Sequence, residues 1–368
     1  AYYVPFSENK EEATAVLAEF KSLFENKQIE KVGQNLKYDI NVLTNYNIQV
    51  KGPLFDTMIA HYLIQPDMRH NMDLLAETYL GYKTVSIETL IGKKGKKQKT
   101  MRDIPQEEIV DYACEDDDIT LQLKNQFEPK MNEMLKKLMD EIEIPLIPVL
   151  AAMEKEGINL DVPALAKFSE ELGLLVTNMT AKILELSGEE FNVDSPKQLG
   201  EVLFDKMQIV EKAKKTKTGQ YSTSEDVLSK IANKHEIVPL ILEYRSIKKL
   251  KSTYVDALPE LVSAEDGKIH TSYMQTVAAT GRLSSNNPNL QNIPIRTERG
   301  KEVRKSFIPK DENHVLLAAD YSQIELRIIA ALSEEETMIE AFTNGEDIHA
   351  STAAKVFDVP LSEVTREQ

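Results

Sequence analysis

Cysteine is nearly absent from this sequence: Cys114 stands alone among 368 residues. One thiol excludes a disulfide framework and a cysteine metal cluster within the chain, and it suits a reducing intracellular compartment. No apolar run is long enough to span a bilayer. The opening residues, Ala1-Tyr2-Tyr3-Val4-Pro5-Phe6, lack the basic start and long apolar stretch of a signal peptide. A cytoplasmic protein with no membrane partner is expected. Positive charge is also in deficit: 44 Lys and Arg face 60 Asp and Glu, a net charge of −16. As an average, that balance argues against nucleic acid, because phosphate binding needs lysine and arginine. Internal repeats and extended low-complexity segments are absent as well.

The hydrophobic fraction is an ordinary 42%, enough for a real core, and the length suggests two or three domains. The basic residues are clustered. One group is Lys93, Lys94, Lys96, Lys97 and Lys99; a second is Lys212, Lys214, Lys215 and Lys217; a third is Arg245, Lys248, Lys249 and Lys251. An acidic protein can still carry a positive groove. Each cluster by itself reads first as a solvated loop or helix face.

Residues 2–6 read as a short strand, and Ser7 as the opening of a helix with Val16, Leu17, Phe20, Leu23 and Phe24 at helical spacing. Val32 to Asn35 suggests a strand end and turn, followed by a helix through Tyr38, Val42 and Leu43. A further helix begins at Asp56, and another follows Pro105 and Gln106. This alternation suggests an α/β domain. Residues 92–100 read as an exposed loop. From about Pro129 the pattern turns helical, with two long helices joined by a short turn at Gly157–Val162. Ser195-Pro196 marks another helix start. Lys214 to Ser224 is a polar, basic tip, and a helix runs from Ser224 toward Tyr254. Ile269 to Val277 is β-like, Thr280 to Pro294 loop-like, and Gln323 to Leu332 helical. Val315 to Asp320 reads as a compact apolar strand ending in a carboxylate.

A carboxylate where a buried strand meets a helix can hold a divalent cation. Paired metals clamp the attacking and leaving oxygens in phosphoryl transfer. Equally, Asp320 can serve as a simple helix cap. The surrounding residues add a resemblance. Asp320-Tyr321-Ser322-Gln323-Ile324-Glu325-Leu326-Arg327 resembles motif A of family A DNA polymerases. Thr280-Gly281-Arg282-Leu283-Ser284-Ser285 and Pro288-Asn289-Leu290-Gln291-Asn292-Ile293-Pro294 resemble the primer-contacting loop of that family. Asp347-Ile348-His349, with Thr352-Ala353-Ala354, resembles the segment before its nucleotide-binding helix. The resemblance implies that Asp320 and the Tyr321 carbonyl hold catalytic metal. Glu325 would exclude a ribose 2′-hydroxyl, a steric device against the wrong substrate. Gln323 and His349 would lie near the nucleotide. Arg282 would reach the minor groove at the primer end, where each correct pair offers an acceptor. Asn289, Gln291 and Arg296 would hold the template–primer duplex.

The earlier part is similar to the 3′–5′ proofreading exonuclease of the same enzymes. Gly33-Gln34-Asn35-Leu36-Lys37-Tyr38-Asp39 resembles its second motif, and Tyr112-Ala113-Cys114-Glu115-Asp116 its third. Helical spacing sets Tyr112 and Asp116 on one face. The resemblance implies that Tyr112 orients a water and that Asp39 and Asp116 bind metal. Glu115, Asp117 and Asp118 read as a solvated acidic face. The middle resembles a polymerase thumb, whose basic tip would place Lys214, Lys215, Lys217, Ser222 and Thr223 on phosphates, with Arg245 and Lys249 beside them.

The implied fold class is α/β plus α. It comprises a partial ribonuclease H-like exonuclease domain at 1–129, a helical thumb at 130–255, and the first half of an α+β polymerase palm at 256–368. The implied cofactor is Mg²⁺, and the implied partners are primer–template DNA and deoxynucleoside triphosphates. A monomer in the bacterial cytoplasm, associated with the nucleoid, is expected. An Asp-x-Glu strand before Asp39, a nucleotide-binding helix and a second palm aspartate are not found, so the chain reads as cut at both ends. A lone carboxylate binds Mg²⁺ poorly. The isolated chain is therefore expected neither to polymerise nor to proofread at a useful rate. A non-catalytic DNA-binding module is the alternative reading; Asp320 argues against an exonuclease alone.

Overall fold

The structure is a computed structural model that describes residues 1–365 except 96 and 296. Lys96 of the first basic cluster and Arg296 of the expected duplex contacts thus lie outside the described residues. The chain forms two compact units, Ala1–Lys310 and Asp311–Gln368. Among the described residues, no helix is long and apolar enough to cross a membrane.

The first unit opens with α1 (Lys10–Phe24), β1 (Lys31–Gly33), α2 (Leu36–Thr44), β2 (Leu54–Asp56) and α3 (Thr57–Ile64). The strand expected over residues 2–6 does not form. Tyr2 is 94% exposed, and no neighbouring strand takes up the backbone groups of this stretch. Helix α1 starts at Lys10 rather than Ser7, because the Asn9 side chain accepts from the Glu11 and Glu12 amides and sets the first turn there. Strands β1 and β2 pair in parallel, Val32 opposite Phe55. Asp56, buried at the end of β2, caps two helices at once. Its carboxylate accepts from the Met58 and Ile59 amides of α3 and from the Asn35 and Leu36 amides at the start of α2. Beyond these come α4 (Met72–Leu75), α5 (Ile87–Ile91) and the long α6 (Gln106–Phe127). Phe55, Leu75, Leu123 and Phe127 form the core between them. Within it, His61 Nδ1 lies 2.7 Å from His70 Nδ1 and His61 Nε2 lies 3.0 Å from the Tyr79 hydroxyl. His70 Nε2 is buried with no partner among the described residues.

The helical middle comprises α7 (Glu133–Leu138), α8 (Ile144–Glu156), α9 (Val162–Ser187), α10 (Pro196–Glu201), α11 (Glu225–Ser229), α12 (Ile237–Leu250) and α13 (Ala257–Glu260). Leu165, Leu172 and Ile183 of α9 pack on Ile237, Ile241 and Ile247 of α12. Each fully buried Leu or Ile contributes about 1.5–3 kcal/mol. The turn expected at Gly157–Val162 contains β3 (Ile158–Leu160), which pairs antiparallel with β4 (Lys268–Ile269). Gly157 sits at φ +63°, and a Cβ there would meet the Ile269 carbonyl at 2.8 Å. The helix expected to run unbroken from Ser224 toward Tyr254 is divided between α11 and α12. Pro239 explains the gap: an α-helical continuation would set its ring against the His235 carbonyl and lose an amide bond. The basic tip is a small hairpin, closed by Ser222 N–H to Lys214 O at 2.8 Å and Thr216 N–H to Gln220 O at 2.7 Å.

The unit ends with β5 (Ser272–Met274), β6 (Ser284–Asn286), α14 (Glu298–Lys305) and β7 (Phe307–Ile308). β5 pairs antiparallel with β6, and β7 joins the other edge of β3.

The second unit holds α15 (Ile324–Ser333), α16 (Glu336–Thr343) and α17 (Ile348–Phe357). The strand expected at Val315–Asp320 is not formed, and its residues are exposed rather than buried: Val315 is 85% and Leu317 91% accessible. An apolar run alone does not make a strand, because half of the ladder belongs to a neighbour. No strand among the described residues pairs with this segment.

Candidate active site

A cleft of about 890 Å³ opens beside β1, and its wall includes Gln34, Asp39, Tyr112, Asp116 and Asp117. Two segments distant in sequence supply it, β1 with α2 and, far along the chain, α6. Strand β1 delivers Gln34 just past its end, α2 carries Asp39 in its first turn, and α6 presents Tyr112 and Asp116 one turn apart. The double cap by Asp56 fixes the start of α2 against α3, which sets the height of Asp39 in the cleft.

The electrostatics are those of crowded carboxylates. Burial, then the Asp56 charge, pushes the Asp39 carboxyl up to about 6, and Asp117 adds to it. Asp39 still keeps an exposed edge at the cleft mouth, so solvent screens part of this effect. Asp116 is likewise pushed up to about 6, chiefly by burial. The Tyr112 phenol is driven to about 12 by burial and then by the neighbouring Asp116 carboxylate. Tyr112 is thus a neutral phenol beside a carboxylate.

Asp117, expected on a solvated acidic face, is exposed and also lines the cleft, where partial burial raises its carboxyl. Glu115, from the same expectation, accepts from the Tyr82 hydroxyl at 2.7 Å and the Val85 amide at 2.8 Å. Asp118 accepts from Gln122.

Carboxylates raised by burial and by neighbouring negative charge are groups that a divalent cation would relieve. The donor set is nevertheless short. Among the described residues, no three His, Cys, Asp or Glu side chains come together closely enough to hold a metal ion. The residues present do not by themselves fit a metal site, in this cleft or around Asp320.

Around Asp320 the arrangement is open. Asp320 lies in an extended, exposed segment and Tyr321 is 80% accessible. Gln323 adopts a left-handed backbone at φ +53° just before α15, whose first turn carries Glu325. The Gln323 side-chain Nε2 donates to Asp347 Oδ1 at 3.0 Å, and the same oxygen caps α17 through the His349 backbone amide at 2.8 Å. Gln323 and His349 are therefore drawn together by Asp347, a residue whose sequence gave no hint beyond its place in the motif.

A second groove, of about 640 Å³, runs along the basic tip and is lined by Ser222, Thr223, Arg245 and Lys249. Arg245 is engaged there, donating to the Thr223 carbonyl and, at 3.1 Å, to the Thr223 hydroxyl. Lys214, Lys215 and Lys217 stand on the exposed hairpin beside it. In the loop around Arg282, Gln291 closes the chain on itself. Its Oε1 accepts from the Ser285 amide at 3.2 Å and its Nε2 donates to the Leu283 carbonyl at 2.9 Å. Asn289 accepts from the Gln291 amide at 3.1 Å.

Comparison with known proteins adds to this geometry. Residues 162–368 match the family model described as DNA polymerase family A, and residues 2–132 match one described as 3′-5′ exonuclease. DNA polymerase I of Pseudomonas aeruginosa is 46% identical over 360 residues, covering 96% of this chain and 39% of the relative. DNA polymerase I of Bacillus subtilis is 42% identical over 367 residues, covering 99% and 40%. The chain thus spans about two fifths of the length of these curated relatives. Among solved structures, the POL domain of Pol1 from M. smegmatis, in complex with DNA primer-template and dNTP, superposes with a TM-score of 0.79. It is 35% identical, with 98% of this chain and 59% of that one covered.

Proposed function

This chain belongs to DNA polymerase family A, and from that premise we propose that the protein carries out template-directed DNA synthesis with 3′–5′ proofreading. The observation that carries the reading is the convergence of Asp39, Tyr112 and Asp116 on one cleft from separate segments. Those three positions are the ones that the exonuclease resemblance singles out. The finer domain reading is an exonuclease-like part at 1–129, a thumb at 130–255 and a half palm at 256–368. Primer–template DNA and deoxynucleotides are the substrates in this reading, and the protein acts as a monomer in the cytoplasm.

Both reactions are phosphoryl transfers for which the family resemblance implies a divalent metal, with Mg²⁺ the expected ion, but the described residues do not complete a site for it. The chain's own residues contribute positioning. Tyr112, neutral and one helical turn from Asp116, orients a water or a terminal phosphate in the cleft. The groove at Ser222, Thr223, Arg245 and Lys249 tracks the duplex backbone without reading its sequence. Arg282 meets the primer end in the minor groove. Glu325 and Gln323 stand on the nucleotide side, with His349.

The short donor set supports a second reading for this chain alone: a DNA-binding module that turns over neither reaction at a useful rate. The test is a labelled primer–template incubated with this chain, Mg²⁺ and four deoxynucleotides, read on a sequencing gel beside a binding titration. An unchanged primer with salt-sensitive binding supports the second reading. A lengthened or shortened primer shows that the chain completes a site and overturns it. Absence of duplex binding at low salt overturns the DNA reading altogether.

A further inference from the structure

One tyrosine joins the exonuclease-matched region to the loop that carries Arg282. Tyr62 lies on α3 and is 4% exposed. Its hydroxyl donates to the Ala278 carbonyl at 2.8 Å and accepts from the Gly281 amide at 3.1 Å. The Gly281 amide also reaches the Ala278 carbonyl, at 3.2 Å, closing a tight turn. Gly281 takes φ +75°, a backbone that suits glycine. The next residue is Arg282.

Both sides of this contact are held firmly. The Tyr62 ring stands edge-on to His70, with centroids 5.7 Å apart and planes at 89°. His70 is bonded in turn to His61, and its carbonyl accepts from the Gln34 side chain at 2.7 Å. On the other side, the strand that enters the loop is anchored to α8 and the turn before it. The Tyr273 amide donates to Glu154 at 2.7 Å, and Gln275 donates to the Glu143 carbonyl and carboxylate at 3.0 and 2.7 Å. Past Gln275 the chain emerges into solvent: Val277 is 62% exposed, and Thr280, Gly281 and Arg282 are exposed. The phenol meets the loop just where it would otherwise be solvated. It supplies one donor and one acceptor to a turn that presents one carbonyl and one amide.

We propose that Tyr62 is a positioning residue for DNA binding: its hydroxyl fixes the Ala278–Gly281 turn and so sets the presentation of Arg282 to the primer end. Through it, the exonuclease-matched region conditions how the polymerase-matched loop grips DNA. The inference rests on the reading of Arg282 as a minor-groove contact. A loop released from Tyr62 spends less time in the binding conformer, and the apparent affinity falls by that fraction.

The test measures affinity of this chain for two fluorescent primer–templates by anisotropy. One ends in adenine; the other ends in 3-deaza-adenine, which lacks the minor-groove N3 acceptor. Tyr62→Phe keeps the ring and removes both bonds; Arg282→Ala and the double variant complete a cycle, with thermal melts confirming that each folds. The expected result is that Tyr62→Phe weakens binding to the adenine end by roughly threefold to tenfold. Binding to the deaza end stays near that of the unaltered chain, and Tyr62→Phe has no further effect in the Arg282→Ala background. Equal weakening on both ends, or an undiminished effect without Arg282, marks a merely structural tyrosine and overturns the proposal. So does Tyr62→Phe binding like the unaltered chain while Arg282→Ala does not. If Arg282→Ala itself binds both ends as the unaltered chain does, the primer-contact reading fails, and this proposal fails with it.

Discussion

Removing the Glu154 carboxylate should destabilise the larger unit more than any exposed ion pair could. Glu154 and Lys37 are each 8% exposed and paired with one another. The same carboxylate accepts from the Asn41 side chain at 2.7 Å and from the Tyr273 amide at 2.7 Å. It therefore ties α2, α8 and β5 together at one point. Glu154→Ala leaves an ammonium enclosed without its counter-charge, which costs about 3–5 kcal/mol. The orphaned Asn41 and Tyr273 donors add to this, at about 1–3 kcal/mol for each that stays dry. Water entering the space left by the carboxylate recovers part of that, so the expected loss is about 4–5 kcal/mol. At about 1.5 °C per kcal/mol for a unit of this length, the melting temperature should drop by roughly 6–8 °C. Calorimetry and urea unfolding read it directly. The paired substitution Lys37→Met with Glu154→Leu should recover most of the loss, because burying two charges is itself costly. A loss below about 1 kcal/mol, the worth of a surface pair, would refute the reasoning.

Three further outcomes follow from the geometry. Asp39 and Asp116 hold protons more tightly when folded, both near 6, so their stabilising effect is complete below about pH 4 and is lost as pH rises through about 6. Asp39→Asn should flatten that fall in urea titrations between pH 4 and 7; an unchanged slope refutes the shift. His61, lowered to about 4 by burial, acts in the opposite sense over the same window, so the comparison must be variant against unaltered chain. Asp56→Ala frees four helix-start amides and should cost about 2–4 kcal/mol in chemical unfolding, with Asp56→Asn in between. Replacing Lys214, Lys215 and Lys217 by alanine should shallow the dependence of log affinity on log salt by about 0.9 for each lysine that meets a phosphate.

Local chemistry was legible in the sequence wherever a cap or a helical stripe announced itself. Asp56, Pro105 and Ser195 each stand where the expected helix starts. Tyr112 and Asp116 share a face as their spacing demands, and Asp39 joins them in the cleft. What failed depended on partners far along the chain. Residues 2–6 and Val315–Asp320 have strand-like composition, but no strand among the described residues pairs with them. Tyr62 falls on the helix expected from Asp56, and its role shows only when Ala278 and Gly281 arrive beside it. Glu154 did leave a trace. Ile147, Leu150 and Ala151 form the buried stripe of α8, and the next position on that stripe is a carboxylate. A charge on an apolar face signals a buried partner, although nothing local names Lys37.

The histidine pair in the core has a consequence for where protons reside. The 2.7 Å approach of the two Nδ1 atoms requires one proton between them, so the tautomers of His61 and His70 are locked in opposition. If His61 supplies that proton, its Nε2 accepts from Tyr79 and His70 carries its own proton on the unpartnered Nε2. If His70 supplies it, His61 donates to Tyr79 and His70 Nε2 is a bare lone pair. One added proton goes to the ring Nε2 that carries none and leaves the N–H···N bond intact; only when both rings are cationic do hydrogens sit on both facing nitrogens and force the rings apart. Acid would therefore prise open the core beneath α3, from the inside and at a single point.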